Sequence, residues 1–317
     1  MNKIKSLLFN WLEKSVEFFY RIGINKNTPG VLAVYNFLFK KSWPYGNMIE
    51  IQGSKMIVDA SEANPVLRRT FEWYTKNLVH EKATTDLFKK TIKEGDVVVD
   101  LGANIGYFTI LAAKLAGPKG RVFSFEPEPK NFNYLKKNIE INDYNQASAY
   151  QKAVSNQNGT TKLFVCSYDI GHHTINQNKG IEAYSRGRKI EEKSIEIETV
   201  VLDSFLEGKT DKVDVVKMDV EGAEMLALTG MDKTLRNNKN IKMFVEFFPL
   251  LIEKMGSSPQ EFIEKLLNDY GFKIFLIPDD YAALTSEMKE LKSVAEVMSY
   301  RKENEDHVNL FLEKNPR

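Results

Sequence analysis

A doubly wound α/β sheet, mainly parallel and preceded by a helical and β-hairpin extension, is the fold class this sequence predicts. Three observations predict it. From residue 96 onward, short β-branched apolar runs alternate with helical patterns at the spacing of βαβ units. The first of these runs, VVVDL (97–101), is almost wholly apolar, as in a strand buried on both faces. It leads into an acidic, glycine-bearing turn, Asp100-Leu101-Gly102-Ala103-Asn104-Ile105-Gly106, where a strand gives way to a helix.

The elements follow in chain order. Residues 1–46 read as mainly helical, with breaks around Asn25–Gly30 and Trp43–Gly46. Ile4, Leu7, Leu8, Trp11, Leu12, Val16, Phe19 and Ile22 form a helical stripe, suited to docking on the domain, on a second copy in a homodimer, or on a membrane surface. NMIEIQ and KMIVDA, divided by Gly53 and Ser54, read as a hairpin. A helical pattern runs from Asn64 to Lys93. After VVVDL a helix extends to Ala116. RVFSFE (121–126) is the second strand, Pro129 to Ile141 the second helix and SAYQKAV (148–154) the third strand. VDVVKMD (213–219), IKMFVEF (241–247), FKIFLI (272–277) and HVNLFL (307–312) complete a seven-stranded series, with helices from Gly222 and over Pro259–Asn268. Residues 155–205 break the rhythm: TTKLFV and SIEIETVVL flank the polar stretch GHHTINQNKGIEAYSRGRK, either a loop over the ligand crevice or a plain surface loop. The expected division is an extension over 1–95 and an α/β domain over 96–317 that carries the 155–205 insertion.

Composition narrows the function. Lys plus Arg is 44 and Asp plus Glu 43, for a net charge of +1, so the chain lacks the basic footprint of a nucleic-acid binder. The single cysteine, Cys166, permits no internal disulfide, which fits a reducing, cytoplasmic setting. No apolar run reaches the length of a transmembrane helix. No HExxH or Cys/His array is present, and no metal site is expected.

The chemistry concentrates at two strand-to-helix turns. Gly102 and Gly106 stand in a Gly-x-x-x-Gly spacing after an acid, unlike the Gly-x-Gly-x-x-Gly of dinucleotide binders. Glu126, closing the second strand, is placed to accept both hydroxyls of a ribose. Asp100 can pair with a cationic amino group. An adenosine ligand with an amino-acid head, such as S-adenosylmethionine, fits these features better than NAD. The second turn, Lys217-Met218-Asp219-Val220-Glu221-Gly222-Ala223-Glu224, follows the fourth strand. A helix macrodipole explains Glu221 and Glu224, but Asp219 should point into the crevice, as should Glu246 at the end of the fifth strand.

In DVVVDLGANIGYFTILAA (96–113), VFSFEPEPKNFNYLKKNIEIN (122–142), KAVSNQNGTTKLFV (152–165), ETVVLDSFL (198–206) and VDVVKMDVEGAEMLALTG (213–230), the chain resembles the FkbM family of S-adenosylmethionine-dependent methyltransferases. The resemblance covers about half the chain and implies a Rossmann-like class I methyltransferase sheet. It implies that Asp100, Gly102, Ala103, Asn104 and Gly106 form the cofactor turn. It makes Glu126 the ribose-binding acid, with Pro127 stiffening the exit of its strand. Ala153 and Val154 would lie beside the adenine, and Asp219, Glu221 and Glu224 near the transferred methyl. The implied activity is O-methylation of a hydroxyl on a carbohydrate, glycolipid or secondary metabolite, a small-molecule or glycan acceptor. The expected bases are Asp219 and Glu221, then His172 and His173, whose alternative is a solvated loop. Competing readings are a nicotinamide-dependent oxidoreductase and a non-catalytic S-adenosylmethionine-binding protein.

Overall fold

The computed structural model describes residues 7, 8, 11, 12, 14, 15, 34, 37, 38, 41, 48–57, 79–165, 175, 193–278, 288–300 and 307–314. The chain divides into two compact units, Met1–Leu78 and Val79–Arg317.

In the first unit the described positions among the first 41 residues are helical. Of the predicted stripe, Leu12 is buried while Leu7, Leu8 and Trp11 are exposed. The expected hairpin forms from β1 (Met48–Ile51) and β2 (Ser54–Ile57), antiparallel with Ile51 opposite Ser54. Gln52 (φ 53°) and Gly53 (φ 71°) both take the left-handed backbone of a tight two-residue turn whose twist matches the flanking strands.

The second unit begins with α1 (Lys82–Thr91). Then come β3 (Val97–Leu101), α2 (Tyr107–Ala116), β4 (Arg121–Phe125), α3 (Pro129–Glu140) and β5 (Ala147–Tyr150). The predicted third strand does not run on to residue 154. It breaks at Gln151 and Lys152, and Ala153–Val154 form β6, which leaves the main sheet. β6 pairs in parallel with β8 (Lys193–Val200), itself antiparallel to β7 (Gly159–Val165), so the 155–205 insertion builds a separate three-stranded sheet. Cys166, His172 and His173, between β7 and β8, lie outside the described residues. So do Phe71, Trp73 and Tyr74. The chain continues through α4 (Leu202–Leu206), β9 (Val215–Met218), α5 (Glu224–Gly230), α6 (Asp232–Asn237), β10 (Lys242–Phe247) and α7 (Pro249–Lys254). It ends with α8 (Pro259–Glu264, continued by a π turn to Asp269), β11 (Phe272–Leu276), β12 (Lys289–Leu291), α9 (Val294–Ser299) and β13 (Val308–Lys314).

The main sheet has eight strands in the order β12-β11-β13-β10-β9-β3-β4-β5. The seven expected strands are all present, and β12 adds a short edge strand. β5, β4, β3, β9 and β10 run parallel, whereas β13 is inserted antiparallel between β10 and β11. Every residue of β3 and of β9 is buried, as their apolar runs require. α2 is apolar almost all round and buries eight residues, including Phe108, Ile110 and Leu111. The strand order reverses between β3 and β9. A crevice at the carboxyl ends of these two strands is the ligand position that such a sheet provides.

Candidate active site

Both sequence signatures arrive at this crevice. β3 delivers Asp100 and the turn after it, β9 delivers Asp219, and register pairs Asp100 with Lys217 and Leu101 with Met218. The two turns meet closely. A Cβ on Gly102 (φ 77°) would stand 1.7 Å from the carbonyl oxygen of Asp219, so only glycine fits there. Asn104 (φ 51°) and Glu221 (φ 53°) also hold the left-handed backbone, as does Glu81 (φ 43°) at the start of α1. Non-glycine residues in that region store strain, and strain of this kind gathers at functional sites.

On the β3 side, Asp100 is buried and its Oδ2 accepts from Thr109 Oγ1 at 2.6 Å. Burial pushes its carboxyl above the ordinary value, against the pull of Lys217 and Thr109. Asp100 Oδ1 and Asn104 Oδ1 are buried with no hydrogen-bond partner. Two such acceptors at one turn call for donors from outside the chain. Ala103 is buried against this turn, and its N–H donates to Phe125 O at 3.0 Å. Gly106 (φ 97°) opens α2. Glu126, buried beside Pro127, accepts from the backbone N–H of Asn104 (2.8 Å) and of Glu128 (2.9 Å), one on each carboxylate oxygen. Burial pushes it up to about 8 despite those two donors. Ala153 is half-buried and Val154 belongs to the apolar core, and Gln151 and Lys152 stand between β5 and β6.

On the β9 side the charges interlock. Lys217, buried in the apolar run of β9, donates to Asp219 Oδ2 at 2.9 Å, and its ammonium lies 4.8 Å from the centre of the Phe108 ring. Burial alone would lower Lys217, but the carboxylates of Asp219, Glu81 and Asp100 outweigh it and hold the ammonium above its ordinary value. Burial raises Asp219, yet Lys217 and a hydrogen bond from Glu246 bring it down to about 2. Glu246 is pushed well up by burial and by the charges of Asp219 and Glu221, and it is hydrogen-bonded to Asp219. His307 Nε2 lies 3.2 Å from Glu246 Oε1, and His80 Nε2 lies 3.1 Å from Glu81 Oε1. Asp219, Glu221 and Glu246 each bring one carboxylate oxygen within 4.8 Å of the others. Of these three, Asp219 is the one that pairs with the Lys217 ammonium. Glu224 is set apart. It is buried, accepts from the Gly222 N–H at 3.1 Å, is pushed by burial to about 7, and holds its own turn together.

Residues 100–274 match the model of the methyltransferase FkbM domain. The chain belongs to the FkbM methyltransferase family. Three relatives show its range. Methyltransferase sdnD of Sordaria araneosa is 30% identical over 61% of this chain and 82% of its own. The hexuronic acid methyltransferase AglP of Haloferax volcanii is 31% identical over 52% and 62%. The 31-O-demethyl-FK506 methyltransferase FkbM of Streptomyces tacrolimicus is 30% identical over 44% and 61%. Among solved structures, TYW2 of M. jannaschii with AdoMet aligns at a TM-score of 0.40 and 16% identity, covering 84% of both chains. An FkbM methyltransferase uses S-adenosylmethionine, and the β3 turn fits that cofactor. The buried acceptors Asp100 Oδ1 and Asn104 Oδ1 lack the donors that an ammonium and hydroxyls would bring.

Sequence reasoning missed Lys217, Glu81 and His307 as members of this site. Lys217 carried a signal, a lysine inside the run VDVVKM. Glu81 and His307 carried none, because only the fold brings them here. Among the described residues, no helix is long and apolar enough to cross a membrane.

Proposed function

We propose that this FkbM methyltransferase transfers the methyl group of S-adenosylmethionine to a hydroxyl oxygen of a small-molecule or glycan acceptor. The observation that carries the reading is the division of the crevice into two functional sides. The β3 side presents buried acceptors with no donors. The β9 side presents the Lys217–Asp219–Glu246 network, which binds charge and handles protons. Names of relatives support the oxygen and the acceptor class, since one acts on a hexuronic acid and another on 31-O-demethyl-FK506.

S-adenosylmethionine, when bound, supplies a methyl already activated by its cationic sulfur. The chain must bind, orient and remove a proton. Asp100 takes the ammonium end, and the N–H groups opening α2 beyond Gly106 receive the carboxylate. Gly102, Ala103 and Asn104 carry the backbone past the cofactor. Glu126 accepts the ribose hydroxyls, Pro127 fixes the exit behind it, and the turn from Gln151 to Ala153 and Val154 bounds the adenine. Asp219 and Glu221 border the acceptor, whose alignment with the methyl supplies much of the acceleration.

The test is incubation with labelled S-adenosylmethionine and a panel of methyl glycosides of neutral sugars and uronic acids, glycolipids and macrolide alcohols. Label on an acceptor oxygen is expected. Calorimetry with S-adenosylhomocysteine and with NAD runs beside it, and binding of NAD alone would sink the reading. Glu126→Ala and Asp219→Ala should each reduce transfer at least about 100-fold.

A further inference from the structure

Hydroxyl transfer needs a group that takes the acceptor's proton, and most of the groups at this crevice are already engaged. Asp219 accepts from both Lys217 and Glu246. Glu246 is hydrogen-bonded to Asp219. Glu81 faces His80 and also feels Lys217 and Asp219. His80 is held edge-on to Tyr107 (5.4 Å between ring centres) and beside Phe108 (6.1 Å).

His307 is placed differently. It immediately precedes β13, whose Val308 pairs with Phe247, so the antiparallel strand returns it to the carboxyl end of β10 beside Glu246. Its side chain is 38% exposed, against 18% for Glu246. Its ring rests 6.1 Å from that of Phe248. The charged groups that face this corner are Glu246 on β10, Asp219 and Glu221 after β9, Lys217 on β9, and Glu81 before α1. Glu246 Oε1 lies 3.2 Å from Nε2, within reach of an N–H on that nitrogen. That arrangement leaves the lone pair on Nδ1.

We propose that His307 is the general base of this enzyme: Glu246 fixes its Nε2–H form, and Nδ1 takes the proton of the acceptor hydroxyl. The assignment rests on the hydroxyl-transfer reading above. The proton passes to Nδ1 as the acceptor oxygen bonds to the methyl carbon and the carbon–sulfur bond breaks, its electron pair staying on sulfur. Glu246 lies beside the imidazolium so formed, and Asp219 behind it. The exposed ring then returns its proton to water. Glu246 is a positioning residue in this scheme, and Asp219 holds Glu246.

Three measurements on the full chain test it. First, calorimetry should show S-adenosylhomocysteine binding within twofold in wild type, His307→Gln and Glu246→Gln, which also verifies that the variants fold. Second, long-range ¹H–¹⁵N spectra of the protein alone should show His307 protonated on Nε2 with Nδ1 bare. The opposite tautomer overturns the assignment. Third, on the methyl glycoside that wild type methylates best, His307→Gln should lower kcat by about 10²–10⁴-fold with little change in KM. Added imidazole should restore part of the rate in His307→Gly, which a purely structural histidine would not allow. Undiminished transfer in His307→Gln overturns the base alone. So does a loss confined to His80→Gln, which would move the base across the crevice. A wild-type protein that binds S-adenosylhomocysteine but methylates nothing in the panel overturns the hydroxyl reading, and the base with it.

Discussion

Lys217 sits in β9 between Val216 and Met218, both fully buried, and serves three carboxylates at once. Replacing it with Met would leave those carboxylates facing one another without a cation. Lys217→Met should therefore cost about 3–5 kcal/mol in urea unfolding, as breaking a buried ion pair does. Glu126 makes a different prediction. Its folded value of about 8 lies above the ordinary carboxylate value, so the folded state holds the extra proton between the two. Stability from this group is complete at acid pH and is lost as pH rises toward 8. Ribose hydroxyls favour the carboxylate, so binding S-adenosylhomocysteine at pH 7 should release up to one proton and tighten with rising pH. Calorimetry in phosphate and in Tris would reveal the release. At this scale DLGANIG, Glu126 and Asp219 were legible because each chemistry is written within a few consecutive residues. The pairs His80–Glu81 and His307–Glu246 differ. The first is adjacent in sequence but points to no site by itself, and the second spans the whole return of β13. No local pattern tells that either reaches Asp219.

Among the elements, the joint between the β3 and β9 turns is the tightest. Gly102→Ala would combine a left-handed backbone with overlap against the Asp219 carbonyl. The expected loss is about 3 kcal/mol or more, read as a lower thermal midpoint together with weaker S-adenosylhomocysteine binding. α2, α3, α5, α8 and the central strands followed from apolar period and from the Gly95 and Gly117–Gly120 turns, since burial on both faces leaves a plain record in composition; α4, α7 and α9, of five or six residues each, did not. The break in SAYQKAV left none. Its residues suit a strand throughout, and the change at Gln151 is a change of partner, as Ala153 pairs with Thr199 after Tyr150 has paired with Phe125. Partner choice is tertiary. The rings of Phe125, Tyr150 and Phe205, with centres 4.6–5.4 Å apart, tie β4 and β5 to α4 at that departure.

For the whole molecule, the division after Leu78 has a direct consequence: residues 79–317 contain every strand of the main sheet and every described residue of the crevice. That segment expressed alone should unfold cooperatively and bind S-adenosylhomocysteine as the full chain does. Failure to fold would show that the first unit is part of the core. β12 was not legible because three residues carry too little periodicity to register. β13 governs the order of assembly. β10 and β11 are synthesised before it, yet each takes β13 as a neighbour and neither pairs with the other. A nascent chain that has not yet made residues 308–314 therefore carries two open sheet edges, the surfaces through which unfinished chains stick to one another. The same strand delivers His307, so closure of the sheet between β10 and β11 and arrival of the base are a single event.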